Sequence, residues 1–271
     1  MNSPGKSLCL FWNSSIGKKI VVAVTGLLLV GFLLGHMAGN LLLFAGRDAL
    51  NDYAEFLHHM LHGAGIWVAR IGLLVALILH VMSTISLTLH NRAARKEKYE
   101  HEATVQASKS SRIMAISGLI ILAFVIFHIL HFTVRIDPEL ANMPDPNEPG
   151  RHDVYGMVLK GFEGPFVPAF YFIAITLLCS HLSHGIASIF QTLGLRSRKT
   201  EGSIKALSWL VTALLWVGFL IIPMSAYFKL VSDKGHASTG LIQQGTVADS
   251  TGYSPGLNRV QSAIQQGTVA E

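Results

Sequence analysis

Six histidines, His36, His80, His128, His131, His181 and His184, lie inside long stretches that are otherwise apolar. An imidazole in hydrocarbon has no water to bond, so its ring nitrogens must be satisfied by something else. Two chemistries do this: a hydrogen bond to a neighbouring helix, or coordination of a metal by the neutral Nε2. For one isolated histidine the hydrogen bond is the simpler account. The rest of the thirteen histidines fall in loops, at segment ends or in the tail, where solvation suffices.

The elements that must position these six are membrane helices. The chain is 51% hydrophobic and only 14% charged, with a mean hydropathy of +0.45, outside the range of soluble domains. Five apolar segments, 20–44, 66–89, 113–134, 166–190 and 206–230, are long enough to cross a bilayer as helices. The expected fold is an all-α integral membrane protein, a bundle of five transmembrane helices. It divides into an N-terminal segment 1–19, a helical domain 20–230 and a polar, flexible tail 231–271. No short apolar region with a small-residue cleavage site precedes the first span, so the first helix itself is expected to direct insertion. Pro223 should kink the fifth span near one end.

Charge sets the orientation. Lys6, Lys18 and Lys19, then Arg92, Arg95, Lys96, Lys98, Lys109 and Arg112, then Arg196, Arg198, Lys199 and Lys205 occupy alternate connections, the positive-inside pattern. The connection 135–164 instead carries Asp137, Glu139, Asp145, Glu148, Asp153 and Glu163. The N-terminus is therefore expected in the cytoplasm and the C-terminus outside. Beside membrane spans, the net charge of +5 reads as a topology signal and a docking surface for lipid or an acidic partner, not for nucleic acid.

With this topology the six histidines sort by depth. His36 on the first helix and His128 and His131 on the third lie in the outer half; His80 on the second and His181 and His184 on the fourth lie toward the cytoplasm. The two layers are separated by an axial gap on the order of 10 Å. Two histidines from facing helices at equal depth are what bis-imidazole haem requires, with a neutral Nε2 on each side of the iron. Two layers imply two haems, and matching depths in four helices weigh against six unrelated hydrogen-bonded residues. His128 and His131 share a helix face, as do His181 and His184, so periodicity leaves the ligand within each pair open. There is no C-x-x-C-H, so any haem is held without thioether links, and Cys9 and Cys179 are too far apart in this topology for a disulfide. Gly31, Gly35 and Gly39 form a flat face near His36 that suits close helix packing and a macrocycle equally.

Between the first two spans, Leu50, Ala54, Leu57 and Leu61 recur at helical spacing and predict an amphipathic helix on the outer membrane surface. Asp52, Glu55, His59 and His62 should line its other face. The run "DPELANMPDPNEPG" is expected to be irregular. The tail repeats "IQQGTVA", twice only, too few copies for a solenoid.

The stretches "SSIGKKIVVAVTGLLLVGFLLGHMAGNLL", "LVALILHVMSTISL", "SGLIILAFVIFHILHF" and "LLCSHLSHGIASIFQTLG" resemble the cytochrome b membrane anchor of the di-haem succinate dehydrogenase and fumarate reductase family, over about residues 11–230. The resemblance implies a bacterial inner-membrane subunit that holds two b haems and handles menaquinone. A flavoprotein subunit and an iron-sulfur subunit would dock on its cytoplasmic face and carry the dicarboxylate chemistry. The implied ligands are His36 with His128 for the outer haem and His80 with His184 for the inner one. Glu55 is the nearest counterpart of an acidic residue that serves the outer quinone site in related fumarate reductases. An ordinary solvated helix face explains Glu55 equally well. Some relatives carry a carboxylate two residues before the fourth ligand; Leu182 stands there in this chain. Arg92, Arg95 and Arg196 are candidate propionate partners, and the complex could form a higher oligomer. Two other functions remain in view: a b-type anchor for a hydrogenase or formate dehydrogenase, and a non-haem transporter with a histidine proton relay.

Overall fold

The computed structural model describes residues 11–93 and 109–231. Lys6, Cys9, Arg95, Lys96, Lys98 and the repeated tail lie outside the described residues. Among the described residues the helices that build the fold are α1 Ser15–Asn40, α2 Arg47–His59, α3 Ala64–Ala93, α4 Lys109–His128, α5 Pro138–Ala141, α6 Val154–Gly161, α7 Phe166–Thr192 and α8 Glu201–Tyr227. A 3-10 turn, Leu41–Ala45, extends α1, and a π-helical segment, Ile129–Val134, extends α4.

Five of these elements, built on α1, α3, α4, α7 and α8, are long and apolar enough to cross a membrane. Their apolar side chains do not all turn inward. Leu27, Leu28 and Phe32 on α1, Leu74, Val75 and Ile78 on α3 and Trp209 and Leu210 on α8 remain exposed. That is the surface a lipid-facing bundle needs, because hydrocarbon and leucine are equally apolar. The core sits where α1, α7 and α8 meet, around Met37, Ile175, Leu182, Ile186, Leu215 and Leu220. Pro223 is buried and accommodated within α8.

Helix α1 packs closely on α3, α7 and α8, and α4 packs on α7, while α3 and α4 touch only slightly. Thus α1 and α4, and likewise α3 and α7, face each other across the bundle without extensive backbone contact.

One end of the bundle is closed by a polar clasp. Gly46, at φ 108°, turns the chain from the first span into α2, a backbone conformation suited to glycine. From α2, Asn51 donates to the carboxylates of Asp145 (2.6 Å) and Asp153 (3.1 Å) and accepts the backbone N–H of Tyr155 (2.9 Å). Arg47 is ion-paired with Asp153 and lies over the Tyr155 ring at 5.0 Å. Arg151 bonds Asp145 (2.7 Å) and Glu148 (3.0 Å) and reaches across to Asp52 and Asp48 on α2. Burial alone would raise the Asp145 carboxyl, but the backbone N–H of Asn147 and the side chains of Asn51 and Arg151 outweigh it and hold the group below its ordinary value.

Within this connection the run "DPELANMPDPNEPG" forms a single helical turn, Pro138–Ala141, and is otherwise irregular as expected, with a second short helix after it. Asp137 caps α5 with Pro138 in the first turn, and Asp153 caps α6. The polar stripe on α2 is shorter than its spacing suggests. The helix ends at His59, and Leu61 and His62 take left-handed backbone conformations (φ 53° and 56°), so His62 is not in line with Asp52, Glu55 and His59. Of the predicted apolar stripe, Leu50 is buried in the chain and Leu61 is exposed beyond the helix.

Candidate functional site

Each of the six histidines within the spans is partly buried, and His36, His80, His128, His131 and His181 each contact a side chain of another helix. At the clasped end, the rings of His36 on α1 and His128 on α4 are 5.8 Å apart between centres and nearly perpendicular. This contact crosses the pair of helices that lack backbone packing. Phe32 stacks on His36 at 5.2 Å, and Phe219 approaches it from α8. Phe124, Phe132 and Tyr171 surround His128. Asn40 donates to the His36 carbonyl (2.7 Å) and lies 3.4 Å from its ring nitrogens.

His131 belongs to the π-helical segment, so it is not related to His128 by a simple α-helical turn. Even so, both rings converge on one hydroxyl. Tyr171 Oη on α7 lies 3.0 Å from His128 Nδ1 and 3.3 Å from His131 Nδ1.

At the opposite end, His80 Nδ1 on α3 meets Thr25 Oγ1 on α1 at 3.2 Å, and His181 Nδ1 on α7 meets Ser117 Oγ on α4 at 3.2 Å. Both hydroxyls already direct their hydrogens to helix carbonyls, Thr25 to Val21 (2.6 Å) and Ser117 to Met114 (3.1 Å). Each can then only accept from the imidazole, which assigns the proton to Nδ1 and leaves the Nε2 lone pair free. His181 lies within electrostatic reach of His80 and His184. The His184 ring makes no hydrogen bond among the described residues.

The spacing between layers is consistent on two helices. The step from Thr25 to His36 on α1 equals that from Ser117 to His128 on α4, an axial rise of about 16 Å. Among the described residues no three His, Cys, Asp or Glu side chains converge as a bare metal ion requires.

The glycines divide. A Cβ at Gly39 would lie 2.5 Å from the Tyr53 ring, so this position is needed for packing on α2. A Cβ at Gly31 or Gly35 would meet nothing within 4 Å, so these two do not form a helix seam within the chain. Gly26 lies against His80 and Gly118 against His181, at ordinary contact distances of 3.4 and 3.5 Å.

Glu55 is on the exposed face of α2, its carboxylate 3.7 Å from the still more exposed His59, whereas Asp52 is held by Arg151. Arg196 is engaged by Glu201 at 2.7 Å and Arg92 is exposed at the end of α3. Thr25, Ser117 and Tyr171 are the contributors that sequence reasoning passes over. Tyr171 carries the plainest signal, a polar tip inside an apolar span that must find a partner when buried.

The fold and site together define an all-α protein with five helices able to span a membrane and two levels of interior histidines. Compared with protein-family models, curated proteins and solved structures, the chain matches none.

Proposed function

We propose that the chain is the cytochrome b anchor of a bacterial inner-membrane succinate dehydrogenase or fumarate reductase. Its N-terminus is cytoplasmic and its C-terminus external, following the lysine and arginine distribution. The observation that carries the reading is the His36–His128 contact across helices α1 and α4. Two imidazoles 5.8 Å apart between ring centres, one from each of two facing helices, are the donor set a bis-histidine haem would use.

We assign one b haem to His36 and His128, whose rings are in contact, and one to His80 and His184, the pair the resemblance implies, with Gly31 and Gly35 offering a side-chain-free surface on α1. Bound there, haem b supplies one-electron transfer between an iron-sulfur subunit and menaquinone. The chain's own part is to orient and to exclude water. Hydroxyls fix imidazole tautomers, and the phenylalanines around His36 and His128 keep the site dry. The flavoprotein and iron-sulfur subunits are the expected partners on the cytoplasmic face, and lipid surrounds the spans.

A second reading of one ligand has a specific observation behind it. The resemblance assigns His184, but the Ser117 contact gives His181 the fixed tautomer that an iron ligand needs. His184→Ala should remove one haem and His181→Ala none; the opposite result in a haem assay transfers the role to His181.

Glu55 is proposed to exchange protons with a quinone near the outer haem, through the exposed Glu55–His59 pair. Glu55→Gln is expected to slow quinone turnover severalfold with both haems retained, and unchanged turnover would reduce Glu55 to a solvated surface carboxylate. The function as a whole is tested by purifying the tagged chain from its native membrane. A flavoprotein and an iron-sulfur protein should co-purify, and succinate should reduce the b haems. Recovery with a hydrogenase or formate dehydrogenase subunit instead would overturn the assignment.

A further inference from the structure

Tyr171 is buried, 4% exposed, and its hydroxyl has two described partners, Nδ1 of His128 and Nδ1 of His131. A phenol has one hydrogen to donate. If both imidazoles donated to it, that hydrogen would be left without an acceptor among the described residues, which a buried hydroxyl resists. If both accepted, one would have no hydrogen to accept. The arrangement that satisfies all three groups has one imidazole donating Nδ1–H to the phenol oxygen and the other accepting the phenol hydrogen. The two histidines then carry opposite tautomers, and only the donor of the pair has a free Nε2 lone pair.

Resting on the reading of His36 and His128 as an iron-binding pair, we infer that Tyr171 is the positioning residue that selects His128 over His131. His128 donates Nδ1–H to Tyr171 Oη, and its Nε2 is available to iron. Tyr171 donates onward to His131 Nδ1, which leaves His131 with a proton on Nε2 and no lone pair to offer. The ring contact distinguishes the two in the same direction, since His36 faces His128. His131 thus strengthens the phenol as an acceptor, and the phenol strengthens His128 as an electron donor to iron. A stronger axial donor favours the ferric state and lowers the haem potential.

The test is a redox titration of the full chain in its detergent-solubilised complex. Tyr171→Phe should keep both haems, raise the midpoint potential of one and leave the other unmoved. His131→Ala should raise the same potential by a smaller amount. In the double variant His131→Ala should add nothing to Tyr171→Phe, because its effect passes through the hydroxyl. Unmoved potentials in Tyr171→Phe, or a full additional shift from His131→Ala on that background, would overturn the inference. If Tyr171→Phe does not assemble, His131→Ala decides alone: a shift confined to one haem supports the relay and no shift overturns it. Wild-type protein without haem would overturn the underlying reading as well, whereas two haems with unmoved potentials would overturn only the role of Tyr171.

Discussion

His128→Ala is expected to lower the haem content from about two per chain to about one, with the remaining haem retaining its spectrum and potential. The alanine removes one of two protein nitrogens that face each other across α1 and α4. No third histidine makes ring contact with His36 among the described residues, His131 included, so none is placed to substitute. Among the described residues the level of His80, His181 and His184 shares no hydrogen bond with that of His36 and His128 and lies about 16 Å away along the helices, so its occupant should not respond. His36→Ala should reproduce the loss, since a bis-imidazole site fails from either side. Loss of both haems, or of neither, in His128→Ala would contradict the assignment of ligands to layers.

Asp145→Ala should loosen the clasp that holds α2 to the end of the bundle, at a cost of about 2–4 kcal/mol. The Asp145 side chain is fully buried and joins Asn51 to Arg151. Removing it leaves Asn51 with one carboxylate fewer and Arg151 dependent on the more exposed Asp48, Asp52 and Glu148. Amide hydrogen exchange along α2 should accelerate while the spans stay protected, and unchanged exchange would show that Arg47 and Asp153 hold the helix unaided. The pH dependence has a definite sign. A carboxyl held below its ordinary value contributes stability above the unfolded-state pKa, about 3.9, and loses it as pH falls through the lowered folded-state value. The contribution of Asp145 to the clasp should therefore be constant from pH 8 to 5 and be lost only in stronger acid.

What could be read in the sequence follows from the range of the interactions involved. Apolar length locates all five spans, with ends differing by a few residues because polar flanks such as Ser15–Lys19 and His90–Ala93 continue the helices. The positions of His36 and His128 at one level follow from helical rise along the first and third spans, which run in the same direction. The hydroxyls that bond the imidazoles could not be read, because Thr25 with His80, Ser117 with His181 and Tyr171 with His128 meet only through packing. The clasp was hidden for the same reason: Asn51 and Asp145 are distant in sequence, and each alone resembles a solvated polar residue. The fates of Gly31, Gly35 and Gly39 also needed the fold, since identical spacing places one against Tyr53 and leaves open space at the other two among the described residues.

The most direct test of the central claim is the haem b content of the purified wild-type chain, measured as the pyridine haemochrome and divided by protein. Two interior histidine pairs predict a ratio of about two, and a ratio near zero would contradict the account and leave the six histidines as hydrogen-bonded or proton-relay residues.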